Sequence, residues 1–79
     1  MPDDVRTRPL RALRVERVLS IRELARLAGV APSTIYLTEA ERTTPHASVM
    51  RRIAAALGVD AHEVAEFRRA IAAHAGRAR

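Results

Sequence analysis

The twelve residues LARLAGVAPSTI, Leu24 to Ile35, restrict the fold of this chain more than any other stretch. Leu24, Ala25 and Ala28 recur at helical spacing, so they lie on one face of a helix. Gly29 follows, and a glycine takes the left-handed conformation that ends a helix at little steric cost. Pro32 then sits where a new helix begins, because the first turn does not use its missing N–H. Ile35 anchors that second helix on the core. Ala25 is small where the two helices cross, and Val30 plugs the gap between them. The order Ala25, Gly29, Val30, Ile35 describes two helices joined by a tight turn, a helix-turn-helix. A plain helical hairpin would not need all four residue types in this order.

The flanking sequence extends the helical pattern in both directions. Leu10 and Leu13, with Arg17, share one face of a first helix that opens at Pro9 and is expected to end near Leu19. Ser20 and Glu23 form a capping box ahead of the second helix, about Ile21 to Ala28. The third helix is expected over Pro32 to Ala40, with Ile35 and Thr38 inward. Thr43, Thr44 and Pro45 break the pattern. Val49, Met50, Ile53, Ala54 and Leu57 make the stripe of a fourth helix from about His46, stopped by Gly58. Asp60 and Glu63 repeat the capping pattern, and a fifth helix, about Ala61 to Ala73, buries Val64, Phe67 and Ile71. The chain therefore reads as a compact all-α domain of five short helices over residues 9–73. A loose arm, 1–8, is expected before it and a frayed basic tail, 74–79, after it.

Composition agrees with one small domain. The 79 residues include one Phe, one Tyr and no Trp, so aliphatic side chains must build the core. With no cysteine, disulfides and cysteine-based zinc sites are excluded. No apolar run approaches a membrane span, and the N-terminus lacks the apolar core of a signal peptide. A cytoplasmic location is the expectation, and no membrane partner. The net charge is +5, and every basic residue is Arg. Such an excess suits a polyanionic partner, although a merely basic surface would carry it too. His46, His62 and His74 stand in separate segments, and no paired acids or glycine-rich phosphate loop accompany them. His62 and Glu66, one turn apart, read as solvated side chains. An enzyme, a metal site and a cofactor are not expected.

With LRALR, LSIRELARLAGVAPSTIYLTE, the Arg42–Pro45 segment and MRRIAAALGV in place, the chain resembles the lambda-repressor/Cro (XRE-type) helix-turn-helix family. The likeness runs from about Leu10 to Val64. It implies a five-helix domain that binds double-stranded DNA, with Pro32–Ala40 as the recognition helix in the major groove. It implies a structural ion pair between Arg14 and Glu39, which Arg can grip through two hydrogen bonds. It also implies a homodimer on a two-fold symmetric site and a role as a transcriptional regulator, most simply a repressor. Four positions depart from the family pattern, one of them Thr38, where an apolar residue is usual. Ile21 stands where a polar residue often braces a phosphate, Ala31 where Ser or Thr caps the recognition helix, and Glu41 where Gly is usual.

The face opposite Ile35 and Thr38 carries the base-contacting candidates Pro32, Ser33, Tyr36 and Leu37, with Ala40 beside them. Ser33 can bond a base edge or a phosphate. Tyr36 can bond a phosphate, pack on a thymine methyl, or simply lie on the protein surface. No Gln, Asn or Arg on this helix can make a bidentate base contact, so direct readout is expected to be modest and DNA shape to matter. The phosphate-contacting candidates are Arg22, Thr34, Arg42, Thr43 and Thr44. Arg6 and Arg8 on the arm are candidates for a groove contact. Arg51 and Arg52 are as well read as solvated, and Arg68 and Arg69 as too distant. Phe67 and Ile71 on the fifth helix are the dimer-interface candidates, in a double role for that helix with Val64 and Phe67 turned inward and Ile71 and the alanines near the tail outward. No small-molecule effector domain is expected. The competing reading is a protein-interaction module, such as an antitoxin or adaptor, built on the same fold.

Overall fold

The computed structural model describes the backbone of residues 7–77 and the side chains of residues 7–73. Its helices are α1 (Leu10–Glu16), α2 (Ile21–Ala28), α3 (Pro32–Glu39), α4 (Ala47–Leu57) and α5 (Ala65–Arg77), with a 3₁₀ turn, Ala61–Glu63, before α5. The chain is all-α. Leu10, Leu13, Leu24, Ile35, Ile53, Leu57, Val64 and Phe67 meet in one core to which every helix contributes. Each large side chain fully buried there contributes about 1.5–3 kcal/mol of transfer free energy.

One device ends four of the helices. After each, a residue takes a positive φ angle. Its N–H donates three residues back, and the next N–H donates five residues back. The pairs are Val18→Val15 and Leu19→Arg14, Gly29→Arg26 and Val30→Ala25, Glu41→Thr38 and Arg42→Leu37, and Gly58→Ala55 and Val59→Ala54. This pattern satisfies carbonyls that the helix end leaves free. Gly29 and Gly58 are the expected stops. Val18 and Glu41 do the same work without glycine, at φ 56° and 58°. The first helix therefore closes at Glu16 rather than near Leu19. Leu19, Val30 and Val59, each just after a turn, pack on the core, whereas Arg42 in the same place is exposed.

The two capping boxes form as read. Glu23 N–H donates to the Ser20 hydroxyl at 3.0 Å, and Ser20 N–H to the Glu23 carboxylate at 2.8 Å. Asp60 accepts from His62 N–H at 2.8 Å, and Asp60 N–H donates to Glu63 at 3.2 Å. The fifth helix differs from expectation at its start. Val64 is extended, and Arg8 lies beside it as a single parallel bridge. Arg8 N–H donates to Glu63 O at 2.9 Å, and Ala65 N–H to Arg8 O at 2.8 Å. That pairing interrupts the helix after Glu63 and makes Ala65 its first residue. At the other end α5 runs on to Arg77, beyond the expected Ala73.

The same bridge corrects the reading of the arm. Thr7 and Arg8 are tied down, since Arg68 Nη1 also donates to Thr7 Oγ1 at 2.7 Å. Residues 1–6 lie outside the described residues, as do 78 and 79. Pro9 precedes α1 rather than opening it, and the first amide, Leu10 N–H, is capped by the Glu66 carboxylate of α5 at 2.9 Å. Arg17 Nε donates to Leu57 O at 2.7 Å, which joins α1 to the C-terminus of α4.

Candidate nucleic-acid interface

α2 and α3 pack on each other across the turn at Gly29, and α2 packs on α4 behind them. Leu24, Ala25, Ala28 and Ile35 are buried in one cluster, with Val30 half-buried at its edge. Ile21 joins that cluster from outside, so the polar brace common at its position is replaced here by packing. Ala31 precedes α3 and offers no side-chain cap. Thr34 N–H donates to Ala31 O at 2.9 Å instead. Buried Thr38 satisfies its hydroxyl internally, donating to Thr34 O at 2.7 Å.

α3 is held at its far end by a charge pair. Arg14 Nε donates to Glu39 Oε2 at 2.6 Å and Nη2 to Oε1 at 3.0 Å, a two-pronged grip. The third nitrogen, Nη1, donates to Leu19 O at 2.9 Å. Both side chains are nearly out of solvent, at 11% and 9% exposure. Glu39 is the last residue of α3, where the helix dipole disfavours a carboxylate. Arg14 offsets that charge. The hydrogen bond to Glu39 in turn raises the Arg14 pKa above its ordinary value, so the guanidinium stays charged. One residue thus ties α1, the α1–α2 loop and α3 together.

The outward side of α3 is open. Pro32, Ser33, Tyr36 and Ala40 are exposed, and Leu37 is half-buried. Tyr36 keeps 59% of its surface in solvent. Beyond the helix, Arg42, Thr43 and Thr44 are exposed, while Pro45 is buried and returns the chain to the core. Arg22 is exposed in the first turn of α2.

The family model described as a helix-turn-helix domain matches residues 8–67. The chain belongs to the helix-turn-helix domain family. The match spans α1 to the start of α5, in keeping with the resemblance read from the sequence. No curated protein and no solved structure matches the chain.

Within this helix-turn-helix domain, Pro32, Ser33, Tyr36 and Leu37 come together on α3, with Arg42 at the end of the same helix. Thr34 lies at the side, half-buried, with its carbonyl taken by Thr38. Thr43 and Thr44 line a cleft between the α3–α4 loop and α5, beside Glu41 and Arg69. Arg69 Nη2 stands 3.1 Å from Glu41 Oε2, so the acid just beyond α3 has a cation beside it. Arg52 leans on the turn, with Nη1 3.4 Å from Gly29 O.

Two expectations are corrected. Phe67 is fully buried in the core, so it packs the domain and cannot form a dimer surface. Arg8 is bonded to Glu16 and its backbone is held by Glu63 and Ala65, so it is not a free arm cation. Arg6 lies outside the described residues. Ile71 is half-buried against the core, with Ala72 and Ala73 exposed beside it.

Proposed function

We propose that this domain is a sequence-specific regulator of transcription that binds double-stranded DNA through α3 in the major groove. The observation that carries the reading is the mounting of α3. Its inner side and far end are fixed by Ile35, Thr38 and the Arg14–Glu39 pair, while Pro32, Ser33, Tyr36 and Ala40 on its outer side are exposed. A helix held that rigidly and left open suits insertion in a groove. Ser33 and Tyr36 would meet base edges, with Pro32 and Leu37 beside them. Arg42 would neutralise a phosphate at the end of the helix, with Arg22, Thr34, Thr43 and Thr44 as further backbone contacts.

A homodimer on a two-fold symmetric site completes the reading, with half-sites about 10 base pairs apart. With Phe67 assigned to the core, Ile71, Ala72 and Ala73 form the contact surface on α5. Occupying a promoter in this way would make the protein a repressor in its simplest form, acting in the cytoplasm. Selection of bound sites from a random duplex pool tests these points together. The expected result is a palindromic motif with that spacing. A featureless pool, with no enrichment over input, contradicts sequence-specific binding and favours a protein-docking role for the same surface.

A further inference from the structure

The outer surface of α3 has a narrow chemistry, and its meaning rests on the DNA-binding reading above. At about 100° per residue, Ser33, Tyr36, Leu37 and Ala40 fall within about 100° of arc, opposite Ile35 and Thr38. Spacings of three and four make them direct neighbours. The patch therefore consists of a phenol ring, a leucine side chain, one methyl group and two hydroxyls. The helix has a single charged side chain, Glu39, and Arg14 holds it inward. Arg or Lys would be needed to bracket guanine, and Asn or Gln to bracket adenine. None stands on α3. The apolar group that the major groove displays is the C5-methyl group of thymine. An aromatic ring more than half exposed in the free protein gains by covering such a group.

We propose that α3 selects its site by packing Tyr36 and Leu37 on C5-methyl groups, so that it reads 5-methylcytosine by the same contact as thymine. The hydroxyls of Ser33 and Tyr36 set the register, and the methyl groups supply the discrimination. Methylation of cytosine at such a position then strengthens binding.

The test uses the full chain and the tightest duplex recovered from a random pool. Each thymidine is replaced in turn by deoxyuridine, which removes only the methyl group, and affinity is read by fluorescence anisotropy at fixed salt. At the contacted positions affinity should fall about three- to fourfold per methyl. At the same positions 5-methylcytosine should bind about three- to fourfold more tightly than cytosine. Y36A, an exposed substitution, should melt as the parent does and lose the thymidine–deoxyuridine difference at the positions that Tyr36 covers, while any position that Leu37 covers keeps it. Affinity unchanged by every deoxyuridine substitution overturns the methyl reading and leaves DNA binding in place. Discrimination that survives undiminished at every contacted position in Y36A overturns the assignment to Tyr36. Failure to bind any duplex at low salt overturns the DNA-binding reading itself.

Discussion

Val18 and Glu41 hold positive φ angles, and both end a helix. The left-handed conformation costs an L-residue roughly 1–2 kcal/mol, most for a β-branched one. Val18 is 87% exposed, so its side chain returns little of that cost. V18G should raise stability by about 1 kcal/mol and the melting temperature by about 4–8 °C, read by thermal denaturation. E41G should stabilise in the same way. It should also tighten binding to all duplexes, because it removes an acid just beyond α3 and releases Arg69 from it. Val18 was not legible as a helix stop, since Val carries no signal for a left-handed turn, and Glu41 stood out only through the family resemblance, in which Gly is usual at its position. Gly29 and Gly58 were legible for the opposite reason: their residue type announces the geometry. Buried Phe67 shows a second limit. An apolar residue on a terminal helix reads equally as core or interface until its neighbours are known.

Among the elements, α3 depends on α1 for its placement. Removing one partner of a largely desolvated pair leaves the other charge unmet, which costs several kcal/mol. E39A should lower unfolding free energy by about 2–4 kcal/mol in urea, with the ranking of DNA sequences unchanged in the folded fraction. An unaltered urea midpoint would show that the pair does not hold the helix. Helix starts respond to pH. The carboxylate of Glu23 is held below its ordinary range by bonds from the Ser20 backbone and hydroxyl, and that of Asp60 by bonds from His62. A folded-state pKa below the unfolded value gives stability that is present above the unfolded pKa. It is lost as pH falls through the folded value. Stability should therefore decline below about pH 4, and E23Q should flatten part of that slope in acid titrations followed by circular dichroism.

The local signals of these elements, capping boxes and helical stripes, were readable because their partners lie within four residues. The tethers between elements were not. Glu66 capping α1, Arg17 reaching Leu57, and the Arg8 bridge that splits the expected fifth helix all join residues 40 or more positions apart. Periodicity holds no record of such pairs. The Arg14–Glu39 contact was readable through the family resemblance, and the structure gives its two-pronged geometry.

For the whole molecule the central claim is that an uncharged reading helix is flanked by arginines that grip phosphate. The net charge of +5 on 79 residues favours a polyanionic partner, and the charge is kept off the outer face of α3. Affinity for a duplex of random sequence, measured across a range of salt concentrations, tests this most directly. Binding should be clear at low salt and should weaken steeply, with a log–log slope set by the number of phosphates neutralised. R42A should weaken every duplex about equally and reduce the slope by about one per protomer. Binding that ignores salt, or an R42A slope equal to that of the parent, would contradict a phosphate grip at the end of α3.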